Sequence, residues 1–143
     1  MMHETSELLA IARLARRSVE PGLRADAKGR PVSAGACLHA SMVLLILLRK
    51  FSSTKAVVRG GPDGQGARDS EGNWRGHYWV EAELPSGARF VVDVTADQFG
   101  HEPIVVLPFD LAGERYRASK QRDVDEALLS CAEEVDCRDL FAA

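Results

Sequence analysis

The chain has 143 residues, 45% of them hydrophobic, which suits one domain with a continuous core. Its 18 basic and 21 acidic side chains leave a net charge of −3, without the basic excess that a phosphate backbone demands, so nucleic acid is not an expected partner. The longest apolar run, residues 42–48, falls far short of the roughly 20 residues that cross a bilayer; the N-terminal segment carries acids before its apolar run and basic residues after it, the reverse of a secretory signal, so no membrane partner and a cytoplasmic location are expected.

Residues 5–17, TSELLAIARLARR, place Leu8, Leu9, Ile11, Ala12 and Ala15 mainly on one side of a helix, with Arg13, Arg16 and Arg17 near its C-terminal end. The segment SVEPGLRADAKGRPVSAGA follows, rich in Gly, Pro and charge, and reads as a loop into a second helix. That helix, residues 36–51, is apolar nearly all round, the pattern of a helix at the centre of a domain. KAVVRGG predicts a short strand over 56–60, PDGQGARDSEGNWR has the composition of an exposed, mobile loop, and the stretch from Gly60 to Arg75 is a candidate substrate-gating lid.

Two strands are predicted over 77–84 and 88–94. Tyr78, Val80, Ala82 and Leu84 alternate with His77, Trp79, Glu81 and Glu83 on the first, and Ala88, Phe90, Val92 and Val94 alternate with Arg89, Val91 and Asp93 on the second. Pro85 suits the first central position of a type I turn and Gly87 the left-handed position of a three-residue hairpin. In that register Leu84 faces Ala88, Glu83 faces Arg89 and Trp79 faces Asp93, so the apolar sets share one face and His77 lies diagonal to Asp93 on the other. EPIVVLPF predicts a further strand, and residues 123–135 a final helix that Asp123 caps. The whole is expected to be a single α+β domain over residues 1–143, with N-terminal helices packed on a small antiparallel sheet.

Cys37, Cys131 and Cys137 are too few for a disulfide framework and lack the paired spacing of a structural zinc site; they read as reduced thiols. Cys37 stands at the start of the central helix, where the helix dipole and a nearby imidazole can lower a thiol pKa. A cysteine in an apolar helix is ordinarily core, a strand histidine ordinarily bonds a carbonyl, and an aspartate often caps a turn. Together, Cys37, His77 and Asp93 supply a nucleophile, a base and an orienting carboxylate, with Trp79 and Gln98 as candidate substrate-binding residues. His39, two residues beyond Cys37, points away from it on a helix, and Cys131 is expected in the core of the last one.

GACLHASMVLLILLRKF, GHYWVEAEL and FVVDVTADQFG resemble the nucleophile helix, histidine strand and aspartate strand of the papain-like and transglutaminase-like cysteine enzymes, over residues 35–100 and in the same order. The resemblance implies Cys37 as nucleophile, His77 as base and acid, and Asp93 as orienter, in a cysteine peptidase or amidase acting on a peptide or protein substrate without cofactor or metal. Its Asp fits the transglutaminase-like branch. Residues 1–36 contain no Gln to supply the oxyanion donor of papains, so Gln98 or a loop amide is the candidate. Amine transfer, a catalytically inert binding module of the same fold, and a metal-dependent hydrolase are the competing readings, and a narrower resemblance links small stand-alone domains of this kind to leader peptidases.

Overall fold

The long apolar stripe near the N-terminus forms α1 (Met2–Val19) in a computed structural model that describes residues 2–25, 31–32 and 36–134. Leu8, Ile11, Ala12, Ala15 and Val19 recur at helical spacing and are all buried, so this face is the packing face. Two short strands, β1 (Arg24–Ala25) and β2 (Pro31–Val32), pair within the stretch read as a loop. The central helix α2 (Cys37–Phe51) packs on α1 with one side and on the sheet with the other, which accounts for its near-continuous apolar circumference. Leu44 and Leu48 are fully buried, each contributing about 2 kcal/mol relative to exposure.

The remaining elements are β3 (Lys55–Gly61), β4 (Gly66–Arg68), β5 (Trp74–Arg75), β6 (His77–Glu83), β7 (Arg89–Asp93), β8 (Val105–Pro108), the short α3 (Phe109–Ala112), β9 (Tyr116–Arg117) and α4 (Gln121–Glu134). The main sheet is antiparallel in the order β3-β6-β7-β8. The architecture is thus α+β, with the N-terminal helices on one face of the sheet, as the sequence predicts. Among the described residues no helix is long and apolar enough to cross a membrane.

The β6–β7 hairpin has the expected register, with Glu83 opposite Arg89 and Val80 opposite Val92. Gly87 adopts φ +91°, and Leu84 and Ala88 close the turn through a 2.8 Å backbone hydrogen bond. The expected charge pair differs in detail. Arg89 reaches diagonally to Glu81, which Arg59 also approaches at 3.6 Å, while Glu83 faces Lys55 at 4.0 Å. Arg89 lies 3.8 Å over the Phe109 ring, and that stacking steers its guanidinium away from Glu83.

Two further readings are corrected. Residues 62–75 contain β4 and β5, which join β9 in a second sheet of order β5-β4-β9. The polar composition conceals a folded hairpin because the Asp69 carboxylate accepts from the amides of Glu71 and Asn73 and from Arg75, building the turn by itself. Gly66 is required there: at φ +79°, a Cβ would fall 2.2 Å from the Arg75 carbonyl oxygen. Helix α4 begins two residues before the expected Asp123 cap, because Gln121 is drawn in by a 2.8 Å bond to the Val58 carbonyl.

The second sheet covers the other face of the main one. Trp79, Val91, Val105, Ala67, Ala112 and Tyr116 form a second, smaller core there. The strand ends carrying His77 and Asp93 are therefore enclosed from both sides, and each residue is 1% exposed.

Candidate active site

Cys37 is the first residue of α2 and is half-buried. Ala36, at the N-cap, offers the first-turn N–H groups no side-chain acceptor, so these donors and the positive end of the helix dipole lie beside the sulfur. His77 opens β6, and Cys37 is near enough to its ring to raise the His77 pKa. The ring is held edge-on by Phe99, with centroids 4.7 Å apart, and backed by Trp79 at 6.2 Å.

Asp93 ends β7, diagonal to His77, and its Oδ2 accepts from His77 Nε2 at 2.8 Å. A carboxylate can only accept, so Nε2 carries a proton and Nδ1 is the nitrogen left for chemistry. The buried carboxylate is fully satisfied. Oδ1 accepts from the Thr95 amide at 3.0 Å and the Thr95 hydroxyl at 3.3 Å, and Oδ2 also accepts from the Tyr116 hydroxyl at 2.8 Å.

These contacts set the electrostatics. Burial alone pushes the His77 pKa down, but the Asp93 charge, its hydrogen bond and the Cys37 thiolate outweigh it and raise the value to about 9. Burial likewise pushes Asp93 up, and the His77 charge with the donors around it holds its carboxyl below the usual range. Burial, followed by negative charge at Cys37 and Asp123, raises the Tyr78 pKa. The site favours an imidazolium–carboxylate pair at His77 and Asp93, with Cys37 beside it.

Cys37, His77 and Asp93 are therefore brought together. The substrate-binding candidates fare differently. Trp79 is 2% exposed and packs against Tyr116 at 5.1 Å, so it braces the histidine from behind and presents no open face. Gln98 lies in the 3-10 turn Ala96–Phe99 with its amide nitrogen 3.2 Å from His77 Nδ1 and 3.1 Å from the Thr95 carbonyl, committed to the framework around His77. His39 is exposed on α2, Cys131 is half-buried on α4, and Cys137 lies outside the described residues. Among the described residues, no group of three or more His, Cys, Asp and Glu side chains is placed to hold a metal ion.

Sequence reasoning missed Thr95, Tyr116 and Arg16. Thr95 had a readable signal, since the amide two residues after an aspartate is a standard partner for its side chain. Tyr116 had none, because its position depends on the second sheet. We expect Tyr116→Phe to cost about 1.5–3 kcal/mol, the value of a hydrogen bond to a charged group. Asp93 has a depressed folded pKa, so its stabilisation is present above the unfolded value of 3.8 and is lost as pH falls through the folded one. Losing the Tyr116 donor raises the folded pKa, so acid destabilisation begins at higher pH, which urea titrations at neutral and acid pH read directly.

No family model, no curated protein and no solved structure matches the chain.

Proposed function

We propose that the protein is a thiol-dependent acyl hydrolase, a cysteine peptidase or amidase of the transglutaminase-like type, acting on peptide or protein amides. The observation that carries this reading is the buried His77–Asp93 pair, bonded at 2.8 Å, with Cys37 near enough to the ring to raise its pKa and placed at a helix N-terminus. In this scheme the Cys37 thiolate forms a C–S bond with the substrate carbonyl, and the first-turn amides of α2 receive the developing oxyanion. The C–N bond breaks as the His77 imidazolium passes its Nδ1 proton to the leaving amine. Water, deprotonated by His77, then cleaves the thioester, releasing a carboxylic acid and restoring the thiol. An amine in place of water gives the transferase outcome.

Intact-mass measurement with electrophilic acyl probes tests the reading. We expect one adduct, mapping to Cys37, absent in Cys37→Ala and formed about 10²–10⁴-fold more slowly in His77→Ala. Adducts that survive both substitutions exclude the mechanism. Alkylation of Cys37 at neutral pH no faster than that of Cys131 and Cys137 leaves the inert binding module as the better reading.

A further inference from the structure

The proton at the reactive edge of His77 is contested by a residue the catalytic scheme does not use. Gln98 Nε2 lies 3.1 Å from the Thr95 carbonyl oxygen. A carbonyl only accepts, so the atom facing it is the amide nitrogen and the orientation of the amide is fixed. The same nitrogen lies 3.3 Å from Thr95 Oγ1 and 3.2 Å from His77 Nδ1. One N–H is shared between the two Thr95 oxygens, and the other points at Nδ1. Thr95 Oγ1 in turn donates to Asp93 at 3.3 Å, which closes a ring of hydrogen bonds from His77 through Asp93, Thr95 and Gln98 back to His77.

That geometry suits only one protonation state. With Nε2–H committed to Asp93, Gln98 requires Nδ1 to be a bare acceptor. An imidazolium instead presents N–H to N–H, and the two donors repel. We propose that Gln98 is a positioning residue that disfavours a proton on His77 Nδ1, so that the thiolate–imidazolium pair strengthens when this amide turns away.

The groups facing His77 agree with a balance between two states. Asp93 on β7 and the Cys37 thiolate on α2 both favour the imidazolium. Tyr116 on β9 acts on the ring only through Asp93, and Arg16 on α1 acts through Asp97, the neighbour of Gln98 in the turn. Trp79 and Phe99 contribute no charge. Gln98 is thus the donor that opposes the pair. Its backbone amide approaches the Thr95 carbonyl at 3.4 Å, so release needs side-chain rotation and no unfolding of the turn.

The inference depends on the thiol chemistry proposed above for its catalytic consequence, but not for the latch itself. The test follows ¹⁵N chemical shifts of the His77 ring in the full chain through a pH titration spanning its pKa of about 9, together with the iodoacetamide rate at Cys37. Wild type is compared with Gln98→Ala and with Gln98→Leu, which keeps the side-chain bulk should the alanine variant fold poorly. We expect Nδ1 to lose its proton at higher pH in both variants than in wild type, and alkylation about fivefold faster, the value of one neutral hydrogen bond. A ring titration unmoved by both substitutions, or moved to lower pH, overturns the latch. Ring signals that move while Cys37 alkylates no faster than Cys131 in every form uphold the latch and overturn the acyl-transfer reading.

Discussion

Replacing Arg16 with alanine is expected to cost about 3 kcal/mol of folding stability, near the lower end of the range for breaking a buried ion pair. The Arg16 side chain is 4% exposed. Its guanidinium grips both carboxylate oxygens of Asp97, at 2.8 and 2.9 Å, and donates to the Val94 carbonyl at 2.9 Å. Removal leaves the Asp97 charge and a buried carbonyl without these partners. Asp97 is 19% exposed, so water recovers part of the loss, which sets the estimate at the lower end. Arg16→Lys does not rescue, because an ammonium cannot reproduce the two-pronged contact. Glu20→Ala removes only the more exposed 3.1 Å partner and is expected to cost less than about 1 kcal/mol. Urea unfolding of the three variants distinguishes these values, and equal losses for Arg16→Ala and Glu20→Ala would count against a buried clamp.

Asp93→Ala should cost more, about 3–5 kcal/mol, because it strands His77 Nε2–H, the Thr95 amide and hydroxyl, and the Tyr116 hydroxyl in a buried site. Asp93→Asn retains the shape and removes the charge. Burial then acts on His77 without its main opposition, so its pKa is expected to fall from about 9 to below the ordinary 6.5. Activity of the proposed kind drops by about 10²–10⁴-fold, since the imidazolium is no longer favoured. The pH dependence of stability changes with it. A raised His77 pKa contributes stability that is full below 6.5 and disappears as pH rises through about 9, whereas the depressed Asp93 pKa contributes above 3.8 and disappears on acidification. Wild type is therefore most favoured by this pair between those values, and the asparagine variant loses both slopes. Unfolding curves from acid to alkaline pH that run parallel for the two proteins would contradict the coupling.

The hairpin was readable because its two constraints agree. Only a three-residue turn puts Gly87 in the left-handed position and both apolar sets on one face, and that parity alone brings His77 diagonal to Asp93. The central helix was readable from its apolar circumference. Arg16 carried a signal that charge obscured: it continues the row Leu8, Ala12 at four-residue spacing, the buried stripe of α1. The second sheet offered much less. Its strands are two or three residues long, too short to show alternation, and they depend on Asp69 side-chain bonds and on pairing with distant Tyr116. Asp123 misled because a capping residue type stands inside the first turn, while the true start is set by a contact of Gln121 with another strand.

The segment 35–100 holds the sulfur, the imidazole and the carboxylate, yet it does not build their surroundings alone. Tyr116 completes the aspartate from downstream, and Arg16 anchors the turn after it from upstream. Grafting only α2 and the β6–β7 hairpin onto another scaffold would transplant the three side chains without the scaffolding that tunes them; the transferable unit extends from the first helix through β9.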